Sequence, residues 1–342
     1  MLKIKFNPIH ILSFSFLGLI LIGSLLLKLP FSTNNGISFI DSFFISASAI
    51  CVTGLTTIDV ATTFTIFGKI ILLLLIQIGG LGIMTFVGVV IQGLKQRLSI
   101  SNEMVLEYAF LQKTPNFSIK HFLFFLIKYT LVIEFFGAIV YFFNLNEKSI
   151  IERIFSSFFH SVSAFCNAGF ALYSDSLMQY RNDYWVNIIT MFLIITGGIG
   201  FIVVFEIKGA IKNRIFLRKF FYYRFFSLHS FIVITTTIFL ILFGAGFIYF
   251  TNNLTILESF FQSVTCRTAG FNTVDLTQMS KASVFIMMFL MFIGGSPGST
   301  AGGIKTTTFA VLSLIIFMAK NQFEDVAIHK RRIPMSIVYQ SL

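Results

Sequence analysis

The sequence predicts an all-α polytopic membrane protein assembled from tandem repeats, each a span, a short helix and a second span. Three observations predict this: a charge-poor apolar composition, apolar runs of membrane-crossing length, and a glycine-centred motif that occurs three times.

Of the 342 residues, 56% are hydrophobic and 11% charged, and the mean hydropathy is +0.87. A soluble domain is about 25% charged, so this composition cannot cover a water-facing surface of ordinary size. Five runs, Ile9–Leu29, Ile70–Ile91, Phe122–Phe143, Val186–Phe205 and Phe231–Phe250, each reach the roughly 20 residues a helix needs to cross a bilayer. A sixth, Val284–Met318, is long enough but is interrupted at Gly294–Gly303. The first run follows Lys3 and Lys5, as a signal peptide would. It exceeds the about 7–15 residues of such an apolar region and no small-residue cleavage site follows, so it reads as a retained span.

The formal net charge of +11 sits between spans, in alternate loops. Lys3 and Lys5, Lys95 and Arg97, Lys208 to Arg224, and Lys320 to Arg332 fall on one side. On the other, Lys148, Arg153 and Arg181 are diluted by Glu147, Glu152, Asp175 and Asp183. The positive-inside rule puts the rich loops and the N-terminus in the cytoplasm, with the chain multi-pass in the plasma (inner) membrane. The basicity reports topology and a lipid bilayer partner; it gives no reason to expect nucleic acid.

Three segments align: Ser48-Ala-Ile-Cys-Val-Thr-Gly54-Leu, Ser163-Ala-Phe-Cys-Asn-Ala-Gly169-Phe and Val264-Thr-Cys-Arg-Thr-Ala-Gly270-Phe. Repetition of this kind is the strongest organisational signal a sequence offers. Each is preceded by a helical stretch too short to span, Asp41–Ile50, Glu152–Phe165 and Ile256–Thr265, with an acid near its start that suits a helix N-terminus. Each is followed, inside the next span, by a glycine mark: Gly79-Gly80-Leu-Gly82, Gly197-Gly198-Ile-Gly200 or Gly294-Gly295-Ser-Pro-Gly298. The repeats run 1–112, 113–224 and 225–328, and 329–342 reads as the start of a fourth.

Span, half-helix, glycine turn and span is the plan of a pore module. Non-helical backbone at membrane depth survives only where protein buries it or where it lines a watery path. Glycine accepts positive φ, so successive carbonyls can face one axis and replace a cation's water shell. The expected arrangement is membrane–pore-loop–membrane repeats around a pseudo-fourfold pore, with three repeats present.

On these motifs, together with Gly-Gly-Ser-Pro-Gly-Ser-Thr-Ala-Gly-Gly-Ile-Lys-Thr at 294–306, nearly the whole chain resembles the Trk/Ktr/HKT potassium-transporter family, nearest its Ktr-type membrane subunit. The resemblance implies potassium uptake through a filter whose backbone is Val52, Thr53 and Gly54, then Asn167, Ala168 and Gly169, then Thr268, Ala269 and Gly270. It implies that Gly294, Gly295, Ser296, Pro297, Gly298, Ser299, Thr300, Ala301, Gly302 and Gly303 form an intramembrane gating loop. It also implies that Gly54 favours potassium, since a serine there goes with sodium permeation in plant relatives. A homodimer and a cytosolic ring of nucleotide-binding regulatory subunits follow by the same likeness, with Lys208–Arg224 and Lys320–Arg332 as docking faces. The family has four repeats. A chain that stops at Leu342 is therefore expected to be incompetent to conduct alone.

Several residues carry competing readings. Gly298 to Lys305 approximates a phosphate-binding loop, but Ile304 separates Gly303 from Lys305 and no α/β pattern surrounds it. The Gly79–Gly82 and Gly197–Gly200 marks read as close helix packing rather than gates. Arg267 reads as a structural donor to pore-loop carbonyls or to an acid such as Asp275. Glu134 reads as an interhelical partner, with Lys128 nearby, or as a coupling-ion site. Cys51, Cys166 and Cys266 read as small buried filler, the five scattered histidines offer no metal spacing, and the 46 Phe residues are lipid-facing and packing bulk. No cofactor is expected beyond K+ as the transported ion, and no catalytic constellation supports an enzyme. The alternatives are a symporter coupled to Na+ or H+, and a non-conducting fragment.

Overall fold

The computed structural model describes residues 8–82, 119–147, 149–217 and 227–320, with two short strands at 327–328 and 331–332. Twelve α-helices are named here among the described residues: α1 Pro8–Leu27, α2 Phe39–Ile50, α3 Val60–Thr63, α4 Ile66–Leu81, α5 Ile119–Asn144, α6 Ile150–Phe165, α7 Tyr184–Gly198, α8 Phe201–Leu217, α9 Leu228–Thr251, α10 Ile256–Thr265, α11 Lys281–Phe292 and α12 Thr306–Lys320. The only strands among those residues pair antiparallel, Ala327 opposite Arg332. Most of the predicted fourth-repeat start, 218–224 of the first basic docking loop and most of the second lie outside the described residues, as do 83–91 of the second span.

Two of the three short helices begin where a side chain caps the first turn. Ser38 accepts a bond from Asp41 N (3.0 Å) at the head of α2, and Thr255 and Glu258 form a reciprocal capping box on α10. These caps satisfy donors that the first turn leaves without helical partners. Among the longer helices, Thr65 caps α4, Asp183 caps α7 and Ser227 caps α9.

Each short helix is clamped to the span before it by one device, used three times. Ser46 Oγ donates to Ile20 O (2.8 Å), Ser161 Oγ to Glu134 O (2.6 Å) and Ser263 Oγ to Ile241 O (2.8 Å). One turn on from each accepting carbonyl stands a glycine, Gly23, Gly137 or Gly244, where an added Cβ would collide with that same serine. The clamp satisfies a polar side chain in an apolar medium, and the glycine permits the approach. Nothing in the motif alignment pointed to these serine–glycine pairs.

α5 and α9 are unbroken, apolar and long enough to cross a bilayer. The third-from-last predicted span, Val186–Phe205, is not one straight helix: α7 and α8 meet at a 93° bend. Gly200, at φ 94°, sits in that break, and uniform hydropathy on both sides concealed it. The interruption predicted in Val284–Met318 is present, between α11 and α12.

Phe250 is 85% exposed, and Phe124, Phe143 and Phe285 also stand on the outer flanks, whereas Phe159, Phe165, Phe261 and Phe271 are buried around the turns. A flank of that composition has lipid as its solvent, and the chain is a polytopic membrane protein. Successive units are tied together on one side: Ser174 Oγ donates to Asp59, Leu177 N donates to Asn272 O (2.9 Å), and Arg181 pairs with the buried Glu258.

Candidate ion path

The three glycine turns share one backbone pattern. Each short helix ends at a cysteine: Cys51 N donates to Ala47 O (2.9 Å), Cys166 N to Val162 O (2.9 Å) and Cys266 N to Gln262 O (3.1 Å). The cysteines are thus C-cap residues; Cys166 and Cys266 are buried, as the filler reading expects, whereas Cys51 is exposed. The next residue in the aligned turn takes positive φ: Val52 at 54°, Asn167 at 56° and Thr268 at 67°. The third takes it again: Gly54 at 78°, Gly169 at 70° and Gly270 at 85°. Thr53, Ala168 and Ala269 between them are absent from the positive-φ set.

Positive φ at β-branched Val52 and Thr268 is strained, by about 1–3 kcal/mol for a residue of that kind. It persists because the surroundings hold it. Thr53 N donates to Ser48 O (2.8 Å), Ala168 N to Ser163 O (2.8 Å) and Ala269 N to Thr265 O (2.9 Å). Ser163 Oγ also donates to Phe170 O and Thr265 Oγ1 to Phe271 O, both at 2.8 Å, closing the far side of the second and third turns.

The turns meet. A Cβ placed on Gly54 would lie 2.5 Å from Ala168 O and 3.4 Å from Gly169 Cα. One on Gly169 would collide with Ala269 O and lie 3.0 Å from Gly270 Cα. Glycine is required at 54 and 169 both for φ and for this contact. The middle turn is flanked on both sides, so Asn167 and Ala168 are buried, while Thr53 and Gly270 at the two ends are exposed.

The predicted loop at 294–303 sits directly against two of these turns. Its stem is a parallel bridge, with Gly294 N donating to Ile304 O (3.0 Å) and Ile304 N to Phe292 O (3.1 Å). Thr300 Oγ1 donates to Phe165 O (3.0 Å) and accepts from Asn167 Nδ2 (2.8 Å), both inside a fully buried contact. Gly302 N donates to Thr268 Oγ1 (3.2 Å). The Gly197–Gly200 mark receives the rest: Ser296 N donates to Gly198 O (3.0 Å), Thr300 N to Gly197 O (3.2 Å), and Phe201 N to Gly298 O (2.9 Å). Gly79 does serve close packing, since a Cβ there would strike Ile50 O. The second mark does more, because the Gly197 and Gly198 carbonyls at the α7–α8 break are the loop's seat.

Arg267, 7% exposed, donates through Nη2 to Gly294 O (2.6 Å) and more weakly to Thr237 O (3.5 Å). The partners are carbonyls, as expected, but of the 294–303 loop and α9 rather than of a pore loop, and Asp275 is not one of them: it caps the 3-10 turn Leu276–Gln278 through Thr277 N (2.9 Å). Glu134 is an interhelical partner, but of Gln77, whose Nε2 donates to it at 3.3 Å, and not of Lys128. Asn167, Thr300 and the Gly197 and Gly198 carbonyls form a hydrogen-bonded cluster that sequence alone did not single out as a unit. Asparagine in the second aligned turn was the available signal, being one of the few side chains that tolerates left-handed backbone.

The TrkH family model, described as "Cation transport protein", matches residues 6–342. The Ktr system potassium uptake protein B of Bacillus subtilis is 37% identical over 352 residues, covering 99% of this chain and 77% of that protein. The potassium/sodium uptake protein NtpJ of Enterococcus hirae is 38% identical over 326 residues, covering 90% of this chain and 69% of that one. The crystal structure of the potassium transporter TrkH from Vibrio parahaemolyticus superposes with a TM-score of 0.72 at 21% identity, over 99% of this chain and 69% of that chain, and supports the fold. With a family match spanning almost every residue and relatives above one-third identity, the chain belongs to the TrkH family of cation transport proteins.

Proposed function

We propose that this chain is the ion-translocating subunit of a Trk/Ktr-type potassium-uptake system in the plasma membrane, with its N-terminus cytoplasmic. The observation that carries the reading is the meeting of Gly54, Gly169 and Gly270 in three turns of one conformation. Backbone oxygens of Val52, Thr53 and Gly54, of Asn167, Ala168 and Gly169, and of Thr268, Ala269 and Gly270 replace the water shell of K+. The C-terminal ends of α2, α6 and α10 add negative potential there. The exposed ends of the row, at Thr53 and Gly270, accept a further filter element that closes the ring.

The segment from Gly294 to Gly303 is the gate, held in place by Asn167, Thr268, Arg267 and the Gly197–Gly198 carbonyls. Withdrawal of the loop opens the path. The names of the relatives support potassium as cargo. Regulation by a cytosolic nucleotide-binding ring, and assembly as a homodimer, are the partners this reading brings with it.

The test is rubidium uptake in a strain lacking its own potassium uptake, with the chain co-expressed with a fourth filter-bearing segment. Uptake above empty vector that is abolished by Gly169→Ala is the expected result. Uptake unaffected by Gly169→Ala, or none despite folded protein in the membrane, would refute the reading.

A further inference from the structure

Between α4 and α5, above the flank of α6, lies a crevice of about 640 Å³, within the roughly 300–1,000 Å³ of small-molecule sites. Its walls are apolar, and Leu131 (58% exposed), Phe135 (57%) and Phe158 (40%) open it toward lipid. Three buried oxygens behind those walls have no partner among the described residues: Glu134 Oε1, Gln77 Oε1 and Thr130 Oγ1. Glu134 is 5% and Thr130 1% exposed, one helical turn apart on the same face of α5, and Gln77 reaches Glu134 from α4.

Nothing in the ion path uses this group. The unpaired carboxyl oxygen of Glu134, the amide oxygen of Gln77 and the hydroxyl oxygen of Thr130 can all accept, so the set is rich in acceptors, with the Thr130 O–H as its one unpaired donor. Leaving such groups unpaired in a medium without water is costly, so the site is built for a ligand that supplies hydrogens. A primary ammonium carries three N–H donors and one positive charge, matching three oxygens and one carboxylate. A hydrocarbon tail matches the walls.

We propose that this crevice binds a hydrophobic primary amine, its ammonium bonded to Glu134, Gln77 and Thr130 and its chain lying along Leu131, Phe135 and Phe158. Occupancy would cross-link α4 to α5, joining the first unit to the second beside the turn helix α6. The inference stands apart from the transport reading and survives or fails without it.

The experiment measures the thermal unfolding midpoint of the protein in phosphatidylcholine nanodiscs, read by thiol-dye labelling of buried Cys166 and Cys266 as they unfold. Decylamine, decyltrimethylammonium and decanol are titrated in parallel. A saturable rise with decylamine is expected at about tenfold or more lower concentration than with the other two, from the charge-assisted bonds they cannot all make. Glu134→Gln should weaken the decylamine response by a similar factor, and Leu131→Trp should abolish it by filling the mouth. Equal protection by decyltrimethylammonium or decanol would overturn the proposal, and that comparison needs no variant. So would an unchanged response in Glu134→Gln, or protection by sodium chloride in place of decylamine, which would mark a cation site.

Discussion

Thr300→Val removes one hydroxyl at nearly constant shape and tests whether the 294–303 loop is latched to the turn at 167–169. In the wild type that hydroxyl donates to Phe165 O at 3.0 Å and accepts from Asn167 Nδ2 at 2.8 Å. Asn167 is fully buried and its Oδ1 has no partner among the described residues, so valine would leave the whole amide unpaired there. An unsatisfied buried donor costs about 1–3 kcal/mol, and with the bond lost at Phe165 O the closed loop is weakened by about 2–4 kcal/mol. At about 1.4 kcal/mol per tenfold, the population with the loop withdrawn rises roughly 30- to 1,000-fold. Rubidium flux into proteoliposomes, with the fourth filter-bearing segment present, reads this directly. A rise in flux is expected; flux that stays level or falls in a variant with wild-type circular dichroism would refute the latch.

Other perturbations separate the remaining contacts. Gly169→Ala sets a Cβ against Ala269 O at φ 70° and should lower stability by about 2–4 kcal/mol, whereas Gly246→Ala, with open space around it, should leave the thermal midpoint within a degree or two. Arg267→Met removes the donor to Gly294 O and should raise flux as Thr300→Val does, since the loop stem loses its tie to the third turn. Ser161→Ala frees Glu134 O and loosens the clamp of α6 on α5 by about 1 kcal/mol, measurable as a lower midpoint. At Asp59, burial works to raise the carboxyl, but bonds from Ser174 Oγ and Ala61 N outweigh it and hold the group below the usual carboxylate range. The stability this gives is complete above the ordinary carboxylate value and is lost as pH falls through the lower folded value. The midpoint difference between wild type and Ser174→Ala should therefore shrink as pH is taken from 7 to below about 4.

The parts of this fold that repeat were the parts that could be read. Gly54, Gly169 and Gly270 stood out because a backbone conformation restricts residue choice, and the break at 294–303 because glycine, serine and threonine interrupted an apolar run. The α7–α8 bend was hidden because Val186–Phe205 is apolar on both sides of it, and only Gly200 marked the position. The left-handed backbone of Val52 and Thr268 was not legible at all, since those residue types argue against it. Partners in space were the weakest inference: Arg267 and Glu134 were recognised as residues needing company. Which carbonyl or amide supplied it depended on helices far apart in sequence, Gly294 in one case and Gln77 in the other.

The claim on which the account rests is that main-chain oxygens of three turns line a single cation path. Anomalous diffraction from protein crystals grown in rubidium tests it most directly. A rubidium peak within coordinating distance of carbonyls from residues 52–54, 167–169 and 268–270 together is the predicted result. Peaks confined to surface carboxylates such as Asp41 or Asp275, with the space between Gly54, Gly169 and Gly270 bare, would contradict it.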